Sequence, residues 1–380
     1  MQTHLSTHHV TKTQLTSLLT SLEEVPDPRV TATVDHDLPD LLTIALCTIL
    51  CGGESFYDME DFGQVRLDWL KTFLRLRHGA PTQDTYNRVF QALDPEKFGT
   101  CLARWTQSVR AVLGGEVVAL DGQTLRRALN KGEDARVIVS AWATQSGLLL
   151  GQRKVRDKSN EITAVPELLR ALELAGGIVT ADALHCQKNI AREIKEADAD
   201  YVLALKGNQG TTFTEMKTFL DDALERKESH LVWTQTTDKG HGRVEVRRSW
   251  QTQKLEWLAD RGDWEGLRSV GVVAARRTVG GKESVERRYY LSRLEHDVEK
   301  FARAVRGHWG VENQLLWVLD VVFGEDQSRA RTGYAAENLA QTRRLAIPLL
   351  RRDKTCPRSF KGKLLRAALA PAYLKSILEN

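Results

Sequence analysis

Three acidic residues occupy positions from which they could share divalent cations. Asp121 ends the apolar run EVVALD, and Asp182 ends a second apolar run, GGIVTAD. Glu312 lies in an aromatic and basic segment, VRGHWGVENQLLWVLD, whose spacing predicts a helix. Two strands that end in Asp and a later helix that carries Glu can gather three carboxylates at one edge of a sheet. Such a cluster suits Mg²⁺, which prefers oxygen ligands, and in-line attack on a phosphodiester by a two-metal site.

Each acid taken alone has a plainer interpretation. Turns favour Asp, so Asp121 in the sequence DGQ could be a simple turn residue. Most helical glutamates are solvated, and three neighbouring acids compete for the third position: Asp320, Glu325 and Asp326. Glu312 is favoured because His308 and Leu316 share its predicted helical face. An acid among apolar and aromatic residues needs a charge partner, and a metal ion provides one.

The composition is that of an ordinary globular protein with a slightly basic surface. The 380 residues predict two or three domains, and 42% hydrophobic residues supply ample core material. The 54 Lys and Arg against 50 Asp and Glu fit a nucleic-acid partner without requiring one. Five cysteines without a CxxC pair argue against a zinc site or a disulfide framework. Without a signal core or a stretch of roughly 20 apolar residues, the expected location is the cytoplasm.

The order of predicted elements after about residue 115 indicates an α/β fold. Three strands are followed by a helix, a strand, a second helix and a fifth strand. This order predicts a ribonuclease-H-like mixed five-stranded sheet with flanking helices. Asp121 would end the first strand and Asp182 the fourth, and these two strands are neighbours in that fold. The carboxyl groups are therefore expected to meet.

The chain is expected to have three parts. They are an all-α N-terminal domain at 1–112, a catalytic core at 113–345 and a basic helical tail at 346–380. A mostly β insertion at about 211–296 is predicted to interrupt the core just before the helix that carries Glu312.

Two predicted helical segments in the N-terminal domain, 58–79 and 80–94, are joined by a short Gly-Ala-Pro turn and suggest a DNA-binding helix-turn-helix. In that interpretation Gln83, Asn87 and Arg88 could meet DNA. The alternative is a plain helical hairpin that packs on the rest of the protein.

Several basic and aromatic residues near the acids are candidates for contact with DNA. They are Arg126, Lys158, Lys206, His241, Arg243, Arg247, Arg306, His308 and Trp309. Arg243, Glu245 and Arg247 alternate along a predicted strand and therefore share a face. That face could be a ribbon directed at phosphates, and the alternative is an exposed, salt-linked strand. Trp309 could stack on a base or simply pack.

These segments also carry a resemblance to a known family. The ordered motifs DGQTLRRA, TADALHCQKNIA, YVLALKGNQ, GHGRVEVR and RGHWGVENQLLWVLD resemble the H-repeat-associated branch of bacterial insertion-sequence transposases. This branch belongs to the DDE superfamily, and the likeness runs from about residue 20 to residue 350. The resemblance implies a ribonuclease-H-like core, a divalent metal, and cleavage and joining of element ends. It also implies that Asp121, Asp182 and Glu312 are the catalytic and metal-binding acids.

The chain departs from the family pattern close to these acids. Gln123 stands where the family usually has Lys after Asp-Gly, and Leu316 stands where it usually has His. A related branch places Tyr, Arg and Lys around its catalytic Glu, and Val305, His308 and Leu319 occupy those places here. The phosphate-binding set of that branch therefore does not transfer to this chain.

Together these observations predict a Mg²⁺-dependent DNA transposase, in which Mn²⁺ could replace Mg²⁺. Its expected partners are the terminal inverted repeats of an element, target DNA and a second copy of the chain in a synaptic homodimer. It is expected in the bacterial cytoplasm, on nucleoid DNA when bound, and not at a membrane. Two alternatives remain: a catalytically impaired DNA-binding protein derived from such an enzyme, and a nuclease that cuts without joining.

Overall fold

A computed structural model describes residues 8–30, 34–108, 114–124, 137–155, 161–240, 243–280 and 282–379. The strands of these ranges form one mixed sheet in the order β3-β2-β1-β4-β5-β9-β8-β7-β6. The strands are β1 (Val117–Thr124), β2 (Val137–Ala143), β3 (Leu148–Val155), β4 (Ile178–Ala181), β5 (Asp200–Leu205), β6 (Val232–Gly240), β7 (Arg243–Thr252), β8 (Ser269–Val279) and β9 (Lys282–Ser292).

The α-helices of the described ranges lie before, between and after these strands. They are α1 (His8–Glu23), α2 (Leu38–Leu50), α3 (Phe56–Val65), α4 (Leu67–Leu70), α5 (Gln83–Ala92), α6 (Pro95–Ser108), α7 (Glu161–Arg170), α8 (Lys188–Glu196), α9 (Gly210–Glu225), α10 (Val298–His308), α11 (Ala335–Arg352), α12 (Phe360–Leu369) and α13 (Pro371–Glu379). The chain therefore has the mixed α/β architecture that the order of elements predicts.

The centre of the sheet is built from short apolar runs that are buried on both faces. Strands β1, β4 and β5 are parallel to one another, and β2 and β3 are antiparallel additions beside β1. Continuous Val, Ile and Leu runs are typical of strands that helices cover on both faces. The predicted neighbourhood of the first and fourth strands is confirmed, because β1 pairs directly with β4. The prediction that Asp121 ends the first strand is wrong, because β1 continues through Asp121 to Thr124 in its pairing with β2.

The prediction of a five-stranded sheet is wrong, since the sheet of the described residues has nine strands. The predicted insertion does form strands, but they continue the central sheet. Strand β9 pairs antiparallel with β5, and β8, β7 and β6 follow outward. This pairing gives hydrogen-bond partners to the edge of β5, which would otherwise be exposed.

A helical layer is built from both ends of the described chain. Helices α1 to α6 share one apolar core with α11, α12 and α13, and with Val311, Leu315 and Leu319 on the segment of Glu312. The predicted basic tail is therefore integrated into this layer. Lys363 in this tail is only 9% exposed, and Arg343 and Arg344, which precede the tail on α11, are 2% and 0% exposed.

The predicted helix at 58–79 is wrong in its length. Helix α3 ends at Val65, the short α4 covers Leu67–Leu70, and turns follow. Twelve residues, 71–82, separate α4 from α5, whereas a helix-turn-helix joins its helices through a turn of about 3–4 residues. Arg66, where α3 ends, donates to the carbonyl of Ala368 on α12, which ties this corner to the helical layer. A role of α5 in DNA binding remains a prediction.

Cys47 and Cys51 pack in the core of the helical layer. Cys47 is fully buried in α2, and burial raises the pKa of Cys51 to about 12. Both thiols therefore stay protonated at neutral pH. Helix α2 is strongly apolar but only 13 residues long. No helix in the described ranges has both the length and the apolar character needed to cross a membrane.

Candidate metal-binding site and adjoining groove

Asp121 and Asp182 are brought together by the register of two parallel strands. Leu120 on β1 pairs with Ala181 on β4, and each aspartate is the next residue in its strand direction. Neighbouring strands lie about 4.8 Å apart. The two carboxylates therefore project from adjacent backbone positions at one edge of the parallel part of the sheet.

The Asp182 carboxylate is held by the turn that follows β4. The backbone N–H groups of Leu184 and His185 donate to its Oδ1 at 3.1 and 3.3 Å. The Nδ1 atom of the buried His185 lies 2.9 Å from the same oxygen. Burial raises the pKa of Asp182, but the hydrogen bond and charge of His185 outweigh it, so this pKa lies below its usual value. None of these three contacts uses Oδ2, which leaves that oxygen for a cation.

Asp121 is in a less favourable electrostatic environment than Asp182. Burial and then the charge of Asp182 raise the pKa of Asp121 from 3.8 to about 7, and the charge of Glu312 adds to this rise. Only the N–H group of Gly122 and the charge of His185 oppose it. A cation beside Asp121 would stabilise the ionised form and reverse the effect.

The raised pKa of Asp121 predicts a pH-dependent stability. A carboxyl group whose pKa is higher in the folded state than in the unfolded state lowers the stability of the folded state when the pH rises. For Asp121 this loss of stability grows between about pH 4 and pH 7 and is complete above pH 7. In EDTA at pH 8, Asp121→Asn is therefore expected to raise the free energy of unfolding by on the order of 2 kcal/mol. That figure is about half of the full linkage value, because the side chain is partly exposed.

Urea denaturation of both proteins at pH 4 and pH 8 measures this effect. The difference should vanish near pH 4, where Asp121 is protonated in the folded state. Equal differences at the two pH values would contradict the assigned environment of Asp121.

Glu312 lies on a continuation of α10 that winds more widely than an α-helix. Residues Glu312–Leu316 and Val318–Val322 form π-helical turns. Such turns are rare and occur frequently at functional sites, where they redirect side chains. Glu312 is exposed, and its charge is close enough to contribute to the raised pKa of Asp121.

The donor chemistry of these acids fits a divalent cation. Two carboxylates from adjacent strands and a third nearby offer only oxygen ligands, which Mg²⁺ prefers. Across the described ranges, however, no three Asp, Glu, His or Cys side chains already stand in a metal-binding arrangement. Asp121, Asp182 and Glu312 therefore do not form such an arrangement in this structure.

A buried polar network connects the strand of Asp121 to the helical segment of Glu312. Gln123 donates from Nε2 to Asp320 at 3.3 Å and accepts at Oε1 from Arg344 at 2.6 Å. Arg344 also donates to both carboxylate oxygens of Glu325, at 2.8 and 3.2 Å. Sequence reasoning flagged Gln123 only as a departure from a family pattern. In the structure it joins the two elements that carry the acids.

His308 and Trp309 lie next to the acids, where α10 ends. The Nδ1 atom of His308 is 3.1 Å from the hydroxyl oxygen of Thr180 on β4. Burial lowers the pKa of His308 to about 4, although the charge of Asp182 opposes this, so the ring is neutral at pH 7. The guanidinium of Arg288 lies 4.0 Å from the centre of the Trp309 ring. Trp309 is thus fixed by packing on at least one face.

A groove of about 1210 Å³ extends from Glu312 between α10 and one face of β6, β7, β8 and β9. Among the described residues, the arginines that line it are Arg247, Arg277, Arg288, Arg303, Arg306 and Arg351. Several of these arginines form ion pairs with acids. Arg247 pairs with Asp238 and Glu245, and Arg277 also pairs with Glu245. Arg288 pairs with Glu286, and Arg306 pairs with Asp238. This groove is large and polar, but much of its positive charge is already compensated.

The other candidates for DNA contact have different positions. Lys206 is exposed directly after β5. Arg243 begins β7, but its side chain lies outside the described residues. Arg126, Lys158 and His241 also fall outside the described residues. The described part of the ribbon at Arg247 has the salt-linked character that the sequence left as an alternative.

The sequence matches known families over most of its length. Residues 113–349 match the family described as "Transposase DDE domain", and residues 19–106 match the one described as "DDE_Tnp_1-associated". The chain is 37% identical over 375 residues to the "H repeat-associated putative transposase YhhI" of Escherichia coli strain K12, covering 96% of this chain and 98% of that protein. It is also 37% identical over 377 residues to the "Putative transposase YncI" of Escherichia coli O157:H7, covering 96% and 95%. The "Putative protein YbfL" of strain K12 is 36% identical over 375 residues, covering 96% and 98%.

Proposed function

The chain belongs to the transposase DDE domain family, and from this premise we propose that it cuts DNA at element ends and joins those ends to target DNA. The observation that carries the proposal is the register of β1 and β4, because it sets Asp121 and Asp182 side by side. The strand order β3-β2-β1-β4-β5 supports a ribonuclease-H-like core, to which β6–β9 are added.

The proposed site would hold its cations through Asp121, Asp182 and Glu312. Two bound divalent cations, Mg²⁺ in this proposal, would supply positive charge for the attacking and leaving oxygens of the phosphodiester. His185 orients the Asp182 carboxylate through Oδ1. Gln123 holds the strand of Asp121 against the segment of Glu312 through Asp320. These contacts preorganise the acids, which is the main contribution that a protein makes to such a site.

DNA would enter along the groove beside Glu312. Trp309 and Arg288 form one rigid wall of it, and Arg303 and Arg306 on α10 line the same opening. Arg306 pairs with Asp238 at 3.1 Å, and both side chains are about half exposed. An exposed pair of this kind contributes little to stability, so Arg306 could exchange its partner for a phosphate. Two element ends must be held together for joining, which supports a homodimer as the active species.

A supercoiled plasmid that carries the genomic DNA flanking this gene tests the chemistry. We expect nicking with Mg²⁺ or Mn²⁺ and no nicking in EDTA. A second reaction offers a pre-cleaved 3′-hydroxyl end, and we expect strand-transfer products that are larger than the input. Robust cleavage in EDTA, or full activity of Asp121→Ala, would rule out the proposed mechanism.

One alternative function has a specific motivation. Gln123 and Leu316 replace polar residues of the family pattern, which is consistent with a DNA-binding protein that has lost catalysis. Tight DNA binding without cleavage or joining under any divalent cation would favour this alternative. Cleavage without joining of the pre-cleaved end would instead favour a simple nuclease.

A further inference from the structure

The four outer strands present two faces with different surroundings. Helix α10 and the groove cover one face, which carries Arg247, Arg277 and Arg288. Residues that pair across strands share a face, and the side chains alternate along each strand. On β7 and β8, Arg248 pairs with Ala274 and Arg276 pairs with Val246, so both arginines belong to the face opposite the groove.

Lys239 on β6 also belongs to the face opposite the groove. It pairs with Val244, and Val244, Val246 and Arg248 are alternate residues of β7, so their side chains point to the same side. We name the surface formed by Lys239, Arg248 and Arg276 the outer basic face. All three side chains are exposed. Helix α9 covers this side of the sheet near Tyr289 and reaches outward to Arg287 through Asp221. Farther from α9, the same face is open to solvent, because Trp233, Val244 and Val285 on it are also exposed.

The two faces differ most in how their cations are compensated. On the groove face, Arg247 and Arg277 both pair with Glu245, whose side chain is 3% exposed. On the outer basic face, Arg248 donates to the neutral Gln235 at 2.8 Å. Within the described ranges, Lys239, Arg248 and Arg276 form no ion pair with an acid. One acid, Glu283, shares the face through its pairing with Thr278, so a positive excess remains.

Because of this difference, the outer basic face can bind a polyanion at a lower energetic cost than the groove face. A phosphate on the groove face would have to displace a carboxylate from Arg247 or Arg277 and would leave Glu245 buried without its partners. On the outer basic face no ion pair has to break. Residues two positions apart on a strand lie about 6.8 Å apart, and neighbouring strands lie about 4.8 Å apart. The three cations are therefore spread over a surface more than about 10 Å across. A surface of this shape fits the backbone of a duplex better than a single bound anion.

We propose that the outer basic face is a second DNA-binding surface that holds the phosphate backbone of duplex DNA outside the catalytic groove. The proposal rests on the proposed function, since it assigns a second contact to the same DNA substrate. Contacts to phosphates carry no sequence information, so this surface would add affinity and orientation for any duplex. It would anchor DNA on one side of the outer strands while the scissile end lies on the other.

The matched test compares arginines of the outer basic face with exposed arginines elsewhere. The outer-face variant is Arg248→Gln with Arg276→Gln. The control is Arg192→Gln with Arg268→Gln, which removes two exposed arginines that line neither the groove nor the outer basic face. Fluorescence anisotropy with a labelled mixed-sequence duplex, in EDTA, gives the Kd at several salt concentrations. We expect the outer-face variant to bind roughly 10-fold more weakly and to reduce the slope of log K against log salt by about two. The control should keep the slope of the unmodified protein.

The possible failures are distinguishable. If the unmodified protein binds duplex with a salt-dependent Kd and the outer-face variant keeps its slope, the second surface is wrong and the proposed function stands. An equal loss in the control with Arg192→Gln and Arg268→Gln would likewise overturn the assignment to this face. If the unmodified protein binds no duplex at all, the second surface and the proposed function both fall. Polyglutamate serves as a second probe, and a variant that loses only polyglutamate binding would show an acidic polypeptide site instead.

Discussion

Asp182→Asn is expected to lower the rate of Mg²⁺-dependent DNA cleavage by about a thousandfold. A metal site contributes several kcal/mol of charge stabilisation in the transition state, and each 1.4 kcal/mol is about a factor of ten in rate. Asp182 is the better fixed of the two aspartates, since three donors hold its Oδ1. An amide at this position keeps a similar volume but removes the charge that a divalent cation requires.

The rate of plasmid nicking and the melting temperature, measured together, check this expectation. Asp222→Asn is a matched control, because Asp222 is an exposed aspartate of α9 that pairs only with Arg226 at the surface. The control should keep its activity. If Asp182→Asn retains more than about a tenth of the rate, Asp182 is not a metal ligand.

Arg344→Met is expected to lower the free energy of unfolding by about 3–5 kcal/mol, because it leaves a buried carboxylate without its cation. Arg344 is fully buried, and its partner Glu325 has a side chain that is only 2% exposed. Urea denaturation measures the effect. Arg268→Met is the matched control, since Arg268 pairs with Glu295 at the surface and both side chains are well exposed. That control should change stability by less than about 1 kcal/mol.

A double variant separates the ion pair from the volume of the side chain. Arg344→Met combined with Glu325→Leu removes both charges, and we expect it to recover much of the lost stability. A single Arg344→Met variant as stable as the unmodified protein would show that the network around Gln123 does not hold the two elements together.

The position of the two aspartates could be predicted because local sequence determines it. Each ends a short apolar run, and the order of strands and helices predicts that these runs are neighbours in the sheet. The pairing of Leu120 with Ala181 confirms this. The helical segment of Glu312 was also predicted from its periodicity. Its π-helical turns were not predicted, because they depend on packing against the helical layer.

Long-range pairing is what the sequence could not determine. The strands of the insertion were recognisable, but whether they formed a separate sheet or continued the central one depends on β9 meeting β5. The side chains that hold the acids and their strands in place were not predicted, for a similar reason. His185 is three residues after Asp182, a spacing that could have suggested a hydrogen bond, whereas Arg344 reaches Gln123 from 221 residues away.

The helical layer also constrains when this polypeptide can fold during its synthesis. Leu18 in α1 and Ile377 in α13 are both fully buried in the same core, and α1 packs on α13. While the ribosome is still translating, the first helices can pack on one another, because α1 contacts α2 and α6, but their common core stays incomplete until Ile377 has emerged from the exit tunnel. The segment of Glu312 belongs to that core through Val311 and Leu315. Glu312 can therefore take its final position only after α13 has packed into this core, and a nascent chain that lacks α13 has an incomplete core beneath Glu312.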